Sequence, residues 1–417
     1  MTGSEPTRVL FVFAWLVVGG EETEVRLLAR HLDPARFRLD VVACFRKPGM
    51  PELTHRQLRE AGIAVDTTPY DLSFDETVEY LASIVPRYNV LVACQAVADI
   101  RPALDLVPDP PPLIEHGGLV EEALRHPLGG TARYVGVCGS IRDAAASSLP
   151  ERPHHALLIP SMVDVEEFDR ARDGGAREAV RAELDVPEQG VLVGWVGRLD
   201  RKKRVEDVIE AVALAIGEVP ALRLVVIGGP DAFMPEYADE LAILARRLGI
   251  DHAVRFLGDR PDIPRLLAGL DIFIWLSQDE GMPHVIAEAG AAGLPVIATR
   301  DNGTLEQIVD EVSGLFVPHR DPAAAASALR RLAEAPELRL DLGRALRRTV
   351  DREFRAEVVA RRWEHLFDEV VAESLANPAG PARGDRDRTT GQQIDPGRYA
   401  EGTPTAVSAT HRNADTR

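Results

Sequence analysis

The sequence predicts an α/β protein made of two Rossmann-like units, each a doubly wound parallel sheet. Three observations carry this. Short continuous apolar runs recur along the chain, separated by segments of helical character. Strands apolar on both faces belong to sheets covered by helices on both sides. The series also restarts after "LLIPSMVDVEEF" at 157–168. Finally, 417 residues, 45% hydrophobic and 27% charged, exceed what one compact core ordinarily organises, so two domains are expected.

In the first unit "RVLFVFAW" reads as a strand, Gly19-Gly20 as the turn that closes it, and "EETEVRLLARHL" as a helix with Val25, Leu28 and Leu32 on one face. The apolar run 9–20 has the length of a signal-peptide core. Glu5 before it and the amphipathic helix after it favour a first strand. "LDVVACF", "NVLVACQ", "PPLIEHGG" and "ARYVGVCGS" continue the strands, and "LLIPSMVDVEEF" reads as the crossing to the second unit. There "GVLVGWVGRL", "LRLVVIGG", "AVRFLG", "DIFIWLS" and "LPVIATR" alternate with helices from about 205, around 236–248, around 261–269 and from 284. Val359, Trp363, Leu366, Phe367 and Val370 stand at helical spacing in a last amphipathic helix. The expected division is 1–165, 166–350, a helix at 351–372, and a tail from 373 too poor in large apolar residues to fold.

The chain has 48 basic and 66 acidic residues, a formal charge of −18. That argues against nucleic-acid binding and against charge-driven attachment to anionic lipid. No run reaches the ~18 apolar residues of a transmembrane span. Cys44, Cys94 and Cys138 show no C-x-x-C spacing and sit in or beside apolar segments. They read as buried thiols of a reducing compartment, and the expected location is cytoplasmic.

Four places could carry chemistry. In "DEGMPHVIAEAG" Glu280 and Glu288 stand eight apart, with the turn-forming Gly281-Met282-Pro283 between them, at the mouth of a strand–turn–helix. Pro283 is expected in the first helical turn. Ligands of doubly wound sheets bind at that carboxyl edge, though acidic residues near a helix start are favoured on electrostatic grounds alone. In "GRLDRKKR" Arg198, Arg201, Lys202, Lys203 and Arg204 face a single acid, Asp200. So much charge beside a helix start is expected to need an anionic partner, and a diphosphate suits it; a solvated basic turn is the plainer alternative. Gly20 would let a ligand approach the backbone, yet no G-x-G-x-x-G fingerprint of a dinucleotide site is present. His116 lies where an apolar segment meets a glycine turn, a place that more often holds a structural histidine.

With these residues in view, the chain from about 7 to 370 resembles the family-4 glycosyltransferases, retaining enzymes of the two-domain GT-B fold. The family's Glu, seven residues, Glu pattern appears as Glu280…Glu288, its "GRL-x-x-x-K" as Gly197-Arg198-Leu199 and Lys203, and its "G-L-x-V-P" as Gly314–Pro318. Asn302–Glu306 matches a further turn more loosely, Gly19-Gly20 the glycine pair of the first domain, and His116 its active-site histidine. The family's "K-G" reads Lys203-Arg204 here, and its "N-G-V-D" linker reads Ser161–Asp164.

The resemblance implies a transferase that moves a hexose-type sugar from a nucleoside-diphosphate sugar to an acceptor hydroxyl with retained configuration. Donor and acceptor would meet in a cleft between the domains, closed by a helix returning to the first. It implies Glu280, Arg198, Lys203 and His116 as catalytic residues. Glu288 would hold the ribose, with Gly20, Gly281, Met282 and Pro283 completing the donor cradle. The nucleotide sugar would be a co-substrate, with no cofactor and no metal. The acceptor is expected to be soluble, a small molecule or a saccharide. A nucleotide-sugar 2-epimerase and an inactive nucleotide-sugar-binding protein are the rival readings.

Overall fold

The computed structural model describes residues 5–125 and 130–376. In the first half, strands β1 (Thr7–Trp15), β2 (Phe37–Phe45), β3 (Ala64–Asp66), β4 (Val90–Cys94), β5 (Leu113–Gly117), β6 (Thr131–Gly136) and β7 (Ala156–Leu158) form one sheet in the order 3-2-1-4-5-6-7. In the second, β8 (Val191–Val196), β9 (Leu222–Ile227), β10 (Val254–Phe256), β11 (Ile272–Trp275), β12 (Val296–Thr299) and β13 (Leu315–Val317) form another in the order 10-9-8-11-12-13. Every strand pair is parallel. The two-sheet GT-B architecture therefore stands. Strand order reverses between β1 and β4 and again between β8 and β11, and the crevice beyond the carboxyl ends of such strands is where ligands bind.

The strands are apolar on both faces because helices cover both. Val9, Phe11, Val41, Val92 and Ile114 meet one helical layer, while Leu10, Val12, Val42 and Leu91 meet the other. In the second sheet Trp195 on β8 and Trp275 on β11 stack with ring centroids 5.6 Å apart and planes 15° apart. The Ala356–Ala376 helix sends Val359, Trp363, Leu366, Phe367 and Val370 into the core of the first sheet. Glu369 and Glu373 of this helix also pair with the buried Arg133.

Three details differ from the sequence reading. "LLIPSMVDVEEF" is more than a crossing: Leu157 and Leu158 complete β7, and Asp164 caps a helix over Val165–Asp173 by accepting from the Glu166 amide at 3.1 Å. Pro283 is the residue before the helical turn, not in it, since the helix spans His284–Ala291. Residues 373–376 extend the last helix, where Glu373 pairs with the buried Arg133. The rest of the expected tail, 377–417, lies outside the described residues. No helix among the described residues is long and apolar enough to cross a membrane.

The chain passes between the sheets twice, and the two passages run side by side. Val163 N donates to Phe354 O at 2.8 Å, and Ala356 N to Val163 O at 2.9 Å. All described residues lie within one compact unit.

Candidate active site

The two loops singled out in the second domain converge at the β8/β11 reversal. Lys203 Nζ sits 2.6 Å from Glu280 Oε1 and 5.2 Å above the Trp275 ring, with both members of the pair partly buried. The Glu280 amide donates to Asp301 Oδ2 at 2.9 Å, which fixes the start of the 280–283 turn. Asp301 also caps the Asn302–Gln307 helix, and Gln307 Nε2 donates to Pro283 O at 3.1 Å. Met282, Pro283 and His284 are buried. Glu288 is the fifth residue of the His284–Ala291 helix, and burial pushes its carboxyl up to about 7 against the opposing pull of Arg26.

Arg198 lies at the end of β8 with Nε 2.8 Å from the buried Asp231 carboxylate. The basic run as a whole does not require an outside anion. Arg201 pairs with Glu240, Lys203 with Glu280, and Arg204 with Asp207. This corrects the expectation drawn from local sequence: Glu240 and Glu280 come from residues distant in the chain, and Asp207 from the first turn of the helix that follows. The diphosphate argument therefore rests on Arg198 and Lys203, the two that face the cleft acids.

The first domain supplies the opposite wall. Gly19 caps the Gly20–His31 helix without any side-chain hydrogen bond. His116 is the penultimate residue of β5, 4% exposed, with Nδ1 3.5 Å from Glu21 and Nε2 3.6 Å from Glu24. Trp363 of the returning helix donates its indole N–H to Glu24 at 3.1 Å and lays its ring 5.6 Å from His116. Glu22 accepts from the Val17 amide at 3.1 Å, and Glu122 from the Gly118 and Leu119 amides at 2.8 and 3.0 Å.

The two walls touch. A Cβ on Gly281 would fall 2.1 Å from Gly118 O, so only glycine permits this approach. One on Gly20 would lie 3.5 Å from His284 Cβ. Gly139 N donates to Glu306 Oε1 at 2.7 Å, and Trp15 meets Phe233 with centroids 5.7 Å apart. Of the residues nominated from sequence, Glu280, Lys203, Gly281, Met282 and Pro283 form one cluster, with Arg198 beside it. Gly20 reaches that cluster across the cleft, while His116 lies behind its own carboxylates. Sequence reading missed Asp231, Asp301, His284 and the acids Glu21, Glu22, Glu24 and Glu122. Three of these stand in "GGEETE", which the sequence shows only as a glycine turn and the start of an amphipathic helix.

These acids set a pH dependence. Burial raises Glu21 to about 8, and Glu22, Glu24, Glu122 and Glu288 to about 7, from 4.5. Folded carboxyls therefore keep protons that the unfolded chain has already released. The stability they contribute is full below about 4.5 and is lost as pH rises through their folded values. His55, His155 and His284 are shifted down and act oppositely only below about 6.5. Raising pH from 6.5 to 8 is accordingly expected to lower the melting temperature, by roughly 1 kcal/mol of stability per buried carboxyl. A flat or rising profile in differential scanning calorimetry over that interval would contradict it.

Comparison with known proteins adds five findings. Residues 176–349 match the family described as glycosyl transferases group 1. A D-inositol 3-phosphate glycosyltransferase of Corynebacterium kroppenstedtii is 36% identical over 195 residues, 46% of this chain and 43% of that protein. Its namesake in Corynebacterium urealyticum is 32% identical over 238 residues, 56% and 54% of the two chains. The chain thus spans about half the length of the curated relatives it matches. Among solved structures, Anabaena HepE in complex with UDP and glucose superposes with a TM-score of 0.73 at 19% identity, over 87% of this chain and 100% of that one. WaaG, a glycosyltransferase involved in lipopolysaccharide biosynthesis, gives 0.67 at 17% identity over 86% and 99%.

Proposed function

We propose, for a chain whose residues 176–349 match the glycosyl transferases group 1 family, that it transfers a hexose-type sugar from a nucleoside-diphosphate sugar to an acceptor hydroxyl, retaining the anomeric configuration. The observation that carries this reading is the Lys203–Glu280 pair, 2.6 Å apart at the strand-order reversal. It sets a cation for the leaving diphosphate beside a carboxylate for the hydroxyls of the sugar. Arg198 adds a second cation, and charge that grows on the departing phosphate is met by groups already in place. Glu288 accepts from the ribose diol, which offers two O–H donors to one carboxylate. The Gly281 and Met282 amides complete the cradle, with Pro283 shaping the turn, and the Gly19–Gly20 turn and His116 wall close it from the first domain.

Because Gly118 and Gly281 touch, donor entry requires the walls to part. The paired passages at Val163 and Phe354–Ala356 are the natural hinge. The acceptor enters from the first domain, and a hydroxyl-bearing soluble molecule suits a wall of carboxyls and a histidine. The chemistry consumes the nucleotide sugar as co-substrate and calls on no cofactor.

The test is a thermal-shift screen against UDP-, GDP-, ADP- and TDP-sugars, followed by assay of nucleoside diphosphate release with polyol and saccharide acceptors. A ligand at 100 times its Kd stabilises the fold by about 2.7 kcal/mol. No shift with any donor would overturn the reading, and shift without turnover would leave the inactive binding protein as the better one.

Within this reading the two glutamates separate. Glu288→Ala is expected to raise the donor KM by about tenfold or more with little change in kcat, since a ribose contact is made equally before and during reaction. Glu280→Ala is expected to act chiefly on kcat, because its partner hydroxyls lie on the ring that carries developing charge. Equal, small effects on both parameters in both variants would sink the assignment.

A further inference from the structure

His284 is 9% exposed, and neither ring nitrogen has a hydrogen-bond partner. It opens the His284–Ala291 helix directly after the 281–283 turn, and its ring lies against the first domain: the Cβ position of Gly20 is 3.9 Å from Nδ1. Leaving a polar group buried and unpaired costs about 1–3 kcal/mol. An apolar side chain would fill the same space without that cost. The turn that the imidazole faces has no side-chain cap at Gly19, before the 12-residue Gly20–His31 helix, and the Glu22 carboxyl beside it accepts from its own amide and from Val17 N. Helix amides of this kind, with the dipole behind them, hold phosphates.

We propose that His284 is a donor-binding residue whose imidazole N–H donates to a phosphate oxygen of the nucleoside diphosphate lodged at the Gly19–Gly20 turn. This rests on the donor reading above and adds a contact from the second domain at the point where the walls meet. The protonation state agrees. Burial and the nearby Arg26 charge push His284 down to about 4, so the ring is neutral and keeps one N–H to donate and one nitrogen to accept. Arg26, from the second turn of the same helix as Gly20, supplies the positive field that a diphosphate would share. With the phosphate present the ring is paired, and the first-domain turn is tied to the second domain through the ligand.

The experiment titrates UDP, GDP, ADP and TDP into wild-type protein and into His284→Leu and His284→Asn by calorimetry, with melting temperatures recorded for each. His284→Leu is expected to weaken the preferred diphosphate about tenfold while melting no lower than wild type, because the buried unpaired ring is gone. His284→Asn, which keeps an N–H near the Nδ1 position, is expected to bind within about threefold of wild type. In wild-type protein the His284 ring nitrogen resonances should shift on adding the diphosphate. Undiminished binding by His284→Leu overturns the proposal, and so does an equal loss in His284→Asn, since the N–H would then not be what binds. Wild-type protein that binds none of the four overturns the donor reading together with the proposal, whereas the variant outcomes overturn the proposal alone.

Discussion

Lys203→Ala is expected to lower kcat by about 10²-fold, the effect of losing one preorganised charge-stabilising donor. The geometry gives the substitution two consequences that must be separated. It removes the cation proposed for the leaving diphosphate, and it strips Glu280 of a partner 2.6 Å away in a partly buried place. Breaking a shielded pair from one side leaves the other charge uncompensated. Lys203→Ala in the Glu280→Gln background resolves this. If the lysine acts on the diphosphate, the double variant stays slow. If it only balances Glu280, the double variant recovers the rate of Glu280→Gln alone.

Arg198→Ala is expected to act in the same direction, with the added penalty of freeing the buried Asp231. A leaving diphosphate needs its charge met by a metal or by protein cations. With two cations assigned, EDTA is expected to change the rate little. Activity abolished by chelation and restored by Mg²⁺ or Mn²⁺, in a protein whose Lys203 variant stays active, would show the cationic cradle to be wrong.

The sequence made some of this visible and hid the rest for identifiable reasons. Continuous apolar runs such as "LDIFIWLS" announce buried parallel strands, and the turn residues Gly281 and Pro283 mark where β11 gives way to a helix. Three-residue strands such as β3 and β13 leave too short a run to stand out from loop. The Glu280…Lys203 pairing could be inferred only through resemblance, since 77 residues separate its members. Asp231 and Glu240, which help neutralise the basic run, look like ordinary surface acids until the fold brings them in. His284 carries no local signal at all. Its interest comes from burial without a partner, which is a property of the closed walls and not of the neighbouring residues.

Trp363→Ala is expected to destabilise the first domain by about 3–5 kcal/mol, the usual range for truncating a large buried aromatic. The ring is 1% exposed and packs with Phe11, Phe367 and His116 at centroid distances of 6.4, 5.5 and 5.6 Å. It anchors the returning helix, which has only one face in the core, so the loss is not easily relaxed away. The corresponding fall in melting temperature is roughly 10 °C for a domain of this size. The indole also donates to Glu24, whose other oxygen faces His116, so removing it disturbs the wall of the site as well as the core. Trp363→Phe separates the two roles. It keeps most of the packing but leaves Glu24 without its donor, and is expected to cost about 1–2 kcal/mol in stability. If His116 is held in place through Glu24, Trp363→Phe should still slow turnover while the protein remains folded. A Trp363→Ala protein melting within a degree or two of wild type would show that the helix docks without its largest side chain. Full activity in Trp363→Phe would detach the Trp363–Glu24–His116 chain from the chemistry.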